Sequence, residues 1–516
     1  AERTFRTLDA ETQRRCRERY GAWYEERRQY LHAMAAYRRC GDYDALLRVV
    51  QEDAGILLAS LPPSEVPAAL DECPADALKA HPFALLVLMR SMFNWRNIPK
   101  MLELKALLLA ALEEHPELPA EERGNLLGEC DLIMSFLCYN DISAMSRLHR
   151  SASAQMSRPA ISIRSSGGWT FGSPSVLMMF YRAPGELAGE LAEMAECMPH
   201  YYKITNGHGQ GAETIMRAEA AFVQGRFTDA HIALESAYAQ IEGNGQENMA
   251  LCCDFLAQRL SRYAEVGPHR SFAERRTELL RHHNASWLNL WNAVSAYCHA
   301  LSGEMEQIPE VFAEHRLASV SILAPGRPMI EMIENQVYLA QGAYAKVIGR
   351  SEGLLALCEG MHYALVALHV RLQTASAYER LGKRREAEAL LAQALTDAAP
   401  DGIVMPFAEN YRYLKPLLAA GPQTALTARV LALGEAGERR QSGTVRPAAF
   451  AALTEREYAL VGLMAQRLTN REIAEKLFLS EGSVKQYVNR IYSKLHIEGD
   501  QRTKRRRLAE LLTQKA

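Results

Sequence analysis

Near the C-terminus, Gly482, Lys485, Gln486, Asn489, Arg490 and Ser493 recur at helical spacing opposite Val484, Val488, Ile491 and Leu495. The apolar set stands at i, i+4, i+7 and i+11, which is the stripe of a half-buried helix. The polar set consists of donors and acceptors long enough to reach base edges and phosphates, and a glycine among them allows close approach. The chemistry this implies is nucleic-acid recognition. Such a face must be held by neighbouring helices, and the preceding residues supply their starts. Thr454 lies three residues before Glu457 and Thr469 three before Glu472, each a capping box ahead of an apolar run, and Ser480 can cap the helix that carries the polar face. Two short helices and a turn leading to an outward polar helix predict a helix-turn-helix.

The whole chain hides this signal. Its 516 residues exceed one compact domain, and at roughly 150 residues per domain three or four units are expected. The 59 Lys+Arg nearly balance 61 Asp+Glu. From Phe450 to Ala516, however, 13 Lys+Arg face 8 Asp+Glu, a basic tail joined to a mildly acidic body. With 48% hydrophobic and 23% charged residues the chain can bury a large core, so wholesale disorder is excluded. Arg90 interrupts the best apolar run, around Phe83 to Met92, well short of the ~18 to 20 residues of a membrane span. The opening Ala-Glu-Arg-Thr-Phe-Arg lacks the apolar region of a signal peptide, and the ten cysteines include no C-x-x-C pair. These features point to a cytoplasmic protein with reduced thiols, no membrane partner, and no metal or catalytic site. His282-His283 has no acidic or thiol partner at metal spacing. The chain does not begin with Met, so it is either processed or the C-terminal part of a longer protein.

Upstream, helical periodicity dominates, as in Ala387, Leu390, Leu391, Ala394 and Leu395, and strand signals are sparse. The expected fold class is all-α. Gly225-Arg-Phe-Thr-Asp-Ala, Gly303-Glu-Met-Glu-Gln-Ile, Gly342-Ala-Tyr-Ala-Lys-Val and Gly382-Lys-Arg-Arg-Glu-Ala each separate two amphipathic stretches, with a period of about 39 residues, and Gly267 falls where a missed turn belongs. This resembles the tetratricopeptide family in a long-helix form and predicts a helical-repeat superhelix. The expected organisation is an N-terminal helical arm over 1–60, a repeat region over 61–433 with an irregular excursion at 151–175, a glycine-containing linker over 434–450, and a C-terminal domain over 451–516.

Leu453-Thr-Glu-Arg-Glu457, Leu468-Thr-Asn-Arg-Glu-Ile-Ala474, Leu479-Ser-Glu-Gly-Ser-Val-Lys485 and Tyr487-Val-Asn-Arg-Ile-Tyr-Ser-Lys-Leu495 strongly resemble the LuxR-type DNA-binding domain. The resemblance implies a four-helix domain that reads base edges through Lys485, Gln486 and Asn489 and contacts phosphates through Arg471, Ser483, Arg490, Tyr492 and Lys494. It departs from the family pattern at Arg467, at His496 and between Glu498 and Arg507. Leu508, Leu511 and Leu512 either form the apolar dimer seam this family uses or pack inward. The array joined to this tail also resembles the MalT-like regulators, in which an ATP-binding module precedes a helical-repeat sensor. No G-x-x-x-x-G-K-[ST] occurs in these residues, so no cofactor is expected, and ATP enters only with a module upstream of residue 1. The resemblance implies double-stranded promoter DNA, a second copy of the chain on that DNA, a small-molecule inducer and RNA polymerase as partners.

In the repeat region, Trp169, Phe171, Tyr181, Arg182, Tyr201, Tyr202, Asn206 and His208 combine aromatic faces with a few polar groups. They either bind a small ligand or plug the array where the loop folds over it. Gly207-His-Gly-Gln-Gly211 could hold an anion on backbone N–H groups. Two other readings of the whole remain: an interaction scaffold with a docking tail, and part of an ATP-hydrolysing switch.

Overall fold

The computed structural model describes every residue except 1–4, 54–64, 139, 164–167, 244, 283, 321, 445–449, 451–452, 466–467, 478–479, 496, 498, 501–502, 505, 509–510 and 512–516. Among the described residues all regular elements are helices, in agreement with the all-α expectation. The chain forms two compact units that divide after Gly437.

The first unit is a stack of helical hairpins. Helix Ala212–Val223 pairs with Phe227–Ile241, Arg327–Ala340 with Tyr344–Gly360, and Ala364–Arg380 with Arg384–Ala398, and successive first helices pack on one another. The turns explain the period. At Gly342 (φ 77°) the glycine N–H bonds Leu339 O at 3.1 Å and Ala343 N–H bonds Tyr338 O at 2.8 Å. At Gly382 (φ 71°) the same two bonds reach Glu379 O and Tyr378 O, both at 3.0 Å. This is a Schellman cap, and its left-handed residue favours glycine because a Cβ would crowd the following carbonyl.

Two predicted turns differ. Gly267 lies in a longer loop between Glu247–Ser261 and Phe272–Arg281 rather than in a tight left-handed cap. After Gly303 the second helix is reduced to the short turns Met305–Gln307 and Glu310–Ala313, because Pro309 has no N–H to continue a ladder.

The region expected to be an excursion, 151–175, mixes buried residues such as Trp169, Thr170 and Ser173 with exposed ones such as Ser157, Pro159 and Ile161. Helix Ile142–Gln155 runs into it, and just beyond its end Val176–Phe180 with Tyr181 is entirely buried. Groups from other parts of the array hold the stretch Val176–Tyr181. Ala364 N–H donates to Tyr181 O at 3.1 Å, and Asn140 Nδ2 donates to Met179 O at 3.0 Å. Glu219, fully buried, accepts the Leu177 N–H at 2.7 Å, and its burial pushes the carboxyl up to about 7. A serine- and glycine-rich stretch reads as an irregular excursion, yet some of its polar groups are satisfied in the interior. Asn248 Oδ1, for example, accepts the N–H groups of Trp169 and Thr170 at 2.7 and 2.9 Å.

The predicted linker also differs. Helix Ala425–Thr444 continues through its first part. Gly434 and Gly437 permit close packing there: a Cβ at Gly434 would lie 2.2 Å from the Tyr411 ring, and one at Gly437 would lie 2.7 Å from Tyr263. These glycines allow aromatic rings to lie on a helix backbone, a use that composition alone does not separate from linker glycine.

Candidate nucleic-acid interface

The second unit builds its site from three helices, Glu455–Ala465, Asn470–Leu477 and Glu481–Lys494. Each start is fixed as its sequence predicts. Thr454 N–H donates to Glu457 Oε2 at 2.7 Å while Glu457 N–H donates to Thr454 Oγ1 at 3.3 Å. Thr469 and Glu472 repeat both bonds at 2.7 and 3.3 Å. Ser480 Oγ accepts the Ser483 N–H at 3.1 Å and starts the third helix.

Val484, Val488, Ile491 and Tyr492 bury one side of that third helix against Leu460, Val461, Met464, Ile473 and Ala474. Leu495 is half-buried at its end. The opposite side leaves Lys485, Gln486, Asn489, Arg490 and Ser493 exposed, and the predicted base-reading residues therefore share one solvent-facing surface. The Arg490 guanidinium lies 5.8 Å from the Tyr487 ring centroid. Arg471 is exposed in the first turn of the second helix, and Ser483 is half-buried at the start of the third with its Oγ 2.8 Å from Ser480 Oγ. A Cβ built on Gly482 would meet nothing nearer than Ser480 Oγ at 3.8 Å, so the domain itself does not require glycine there.

Two of the predicted phosphate residues are placed differently. Lys494 Nζ lies 2.7 Å from Glu457 Oε2, and Glu457 is 1% exposed, so this ammonium joins the third helix to the first. Burial raises the Glu457 carboxyl, but Lys494 and Thr454 together outweigh it and hold the group below its ordinary value. Tyr492 is buried in the core with Lys504 Nζ 5.6 Å from its ring centroid. Sequence reasoning found Glu457 as a cap but missed its second partner, because a contact 37 residues away leaves no local pattern.

The segment after Leu495 adds cationic groups. Asp500 accepts the Thr503 N–H at 2.8 Å and begins a last helical stretch, which carries the exposed Arg506 and Arg507. Leu508 packs inward, 2% exposed, and Leu511 is partly buried against the same core. Arg467, Leu479, His496, Glu498, Arg502, Arg505 and Leu512 lie outside the described residues.

A family model described as bacterial regulatory proteins of the luxR family matches residues 451–504. The C-terminal unit carries a LuxR-family helix-turn-helix. The chain is 48% identical over 46 residues to the DNA-binding transcriptional activator DevR/DosR of Mycobacterium tuberculosis, a match that covers 9% of this chain and 21% of that protein. It is 49% identical over 45 residues to the transcriptional regulatory protein LnrK of Bacillus subtilis, covering 9% and 20%. The chain thus spans about a fifth of the length of these relatives.

Outside that domain the predicted ligand residues contact their own chain. The Trp169 and Phe180 ring centroids lie 5.4 Å apart, and Phe171 joins Phe93 and Phe136 at 5.8 and 6.2 Å. Tyr181 donates to Asp401 Oδ2 at 2.6 Å, and Arg182 pairs with Glu190 and Glu193 at 3.2 and 2.8 Å. The Tyr201 hydroxyl meets His208 Nδ1 at 2.7 Å, and Tyr202 bonds Glu213. Asn206 alone of this set is exposed. At the glycine-rich turn, Gln246 Oε1 accepts the Gly209 N–H at 3.1 Å, and so occupies a donor that an anion would need. His282 packs edge-on to Trp287 at 5.4 Å, His283 lies outside the described residues, and among those described no group of three or more metal-ligating side chains converges. No helix among them is long and apolar enough to cross a membrane.

Proposed function

We propose that the chain is a transcription regulator that binds promoter DNA through the LuxR-family domain, with helix Glu481–Lys494 entering the major groove. The observation that carries this reading is the division of that helix, whose apolar face is buried while Lys485, Gln486, Asn489 and Arg490 stand together in solvent. Lys485, Gln486 and Asn489 read base edges, and Arg471, Ser483 and Arg490 hold phosphates. Lys494 and Tyr492 serve the interface indirectly by fixing the helix that carries it. Gly482, unconstrained by its own domain, allows the backbone to approach the duplex.

The hairpin array is the sensor in this reading, tetratricopeptide-like in its repeats and MalT-like in its order of parts. A small inducer or a protein partner bound to it controls the pairing of two copies on neighbouring half-sites and contact with RNA polymerase. The similarity to DevR/DosR, a DNA-binding transcriptional activator, and to LnrK, a transcriptional regulatory protein, supports the regulatory half of this proposal only. Selection of duplexes from a random pool tests it: the full chain should enrich one motif, and Lys485→Ala or Asn489→Ala should lose preference at single positions by ~1 to 3 kcal/mol. A chain that enriches no motif and binds no duplex at low salt is an interaction scaffold instead.

A further inference from the structure

Three consecutive helices of the array, Tyr344–Gly360, Ala364–Arg380 and Arg384–Ala398, open a surface groove of about 510 Å³. Pockets that hold small organic molecules span roughly 300 to 1,000 Å³. The middle helix packs on both of the others and lies between them. Leu355 and Leu390 from the outer helices and the Tyr378 ring from the middle one are half-buried in the groove and give it an apolar surface. Three carboxylates, Glu352, Glu359 and Glu386, line the same groove, all exposed, and no Lys or Arg lines it. None of the three has an ion-pair partner among the described residues, whereas their neighbours Glu379 and Glu388 share Arg384 at 3.9 and 2.8 Å.

The carboxylates have a defined spacing. Glu352 and Glu359 are seven residues apart on one helix, so they lie on the same side about 10.5 Å apart along its axis, with Leu355 between them. Carboxylate, aliphatic surface, carboxylate is the complement of an extended aliphatic chain with an ammonium at each end, and the separation is close to that of the terminal ammoniums in spermidine. Glu386 contributes a third negative charge from the other outer helix. The Tyr378 ring offers a π face to ammonium groups, and Lys383 Nζ already stands 5.8 Å from its centroid. Glu359 is placed against the interest of its own helix. It stands in the last turn, where the unbonded carbonyls carry partial negative charge, and that turn has no basic residue. A bound cation there would meet the carboxylate and the carbonyls together.

We propose that this groove binds a linear aliphatic polyamine of the spermidine class, its terminal ammoniums on Glu352 and Glu359 and its methylenes on Leu355 and Leu390. Charge complementarity selects this occupant. An anion is repelled by three carboxylates, a neutral molecule gains nothing from them, and a compact metal cation has no use for the apolar surface between them. Binding stands on the groove alone, and that it regulates the chain rests on reading the array as a sensor.

The test is calorimetric titration of the full chain with spermidine, at low salt and without DNA. Spermidine should fill one site, and butylamine and Mg²⁺ should fill none at the same concentrations. The spermidine Kd should rise about tenfold when Glu352→Gln and Glu359→Gln are combined. Combining Glu113→Gln with Glu242→Gln, which removes two exposed carboxylates elsewhere in the array, should leave the Kd unchanged. Both double variants replace exposed acids by neutral isosteres, so neither should melt below the wild type. The proposal is overturned if spermidine does not saturate, if butylamine or Mg²⁺ binds equally, or if the two double variants lose the same affinity. Tighter binding of a Lys-Leu-Leu-Lys peptide than of spermidine also overturns it, because the groove is then a peptide dock. Duplex binding, measured on the same preparations without polyamine, keeps the two readings separate: loss of the spermidine site with duplex binding intact removes this proposal alone.

Discussion

Lys494 and Glu457 form an ion pair of 2.7 Å that ties the end of the polar helix to the start of the first helix of its domain. Glu457 already closes a capping box with Thr454, so one buried carboxylate serves as cap and cross-brace. Removing the cation leaves that carboxylate buried without its charge partner, a loss worth roughly 1 to 3 kcal/mol. Lys494→Met should therefore speed hydrogen exchange in Glu455–Ala465 and Glu481–Lys494 of the full chain. Arg490→Ala should leave exchange unchanged and weaken duplex binding.

Acid should act on the same pair. Burial opposes ionisation of Glu457, but Lys494 and Thr454 keep its folded pKa below the ordinary 4.5. Its contribution is present above about 4.5 and is lost as pH falls through the lower folded value. Hydrogen exchange of the C-terminal unit should accelerate over that acid range in the wild type, and less steeply in Glu457→Gln.

Glu219 has the opposite sign. Burial raises its folded pKa to about 7, so the native array retains a proton that the unfolded chain releases near 4.5. Stability from this group is full below 4.5 and declines as pH rises from there to about 7. Glu219→Gln keeps an acceptor for the Leu177 N–H and removes the titration. Its melting temperature should exceed that of the wild type at pH 8 and converge with it near pH 5, as scanning calorimetry would record.

Gly482 separates folding from recognition. Alanine there meets no protein atom within 3.4 Å and favours helix by about 0.5 to 1 kcal/mol over glycine. Gly482→Ala should leave melting unchanged or slightly higher and should weaken duplex binding, a combination that no folding defect produces. Gly434→Ala should do the reverse. Its Cβ would stand 2.2 Å from the Tyr411 ring, an overpacking worth about 1 to 3 kcal/mol, so the array should melt lower while duplex affinity at 25 °C persists.

These glycines also mark how far the sequence is legible. Capping boxes, apolar stripes and left-handed turns are local, and Thr454, Thr469, Ser480, Gly342 and Gly382 all stand as their neighbours predict. The exposed face of Lys485, Gln486 and Asn489 was equally legible, because a buried stripe of known period fixes what lies opposite. Gly434 misleads because close helix packing and a flexible linker use the same residue. Glu409 with Arg259, 150 residues apart, and Glu457 with Lys494 leave no trace in spacing. Likewise Trp169 and Thr170, in the stretch expected to leave the stack, are buried with their N–H groups on Asn248, nearly 80 residues away, a partner that no local pattern announces.

The most direct test of DNA recognition by the C-terminal domain is the slope of log affinity against log salt for a selected duplex. The wild type should show a steep negative slope. Arg471→Ala and Arg490→Ala should each flatten it by about 1 while weakening all sequences alike, and Asn489→Ala should keep the slope and lose base preference. A slope near zero, or identical changes in all three variants, would contradict the account.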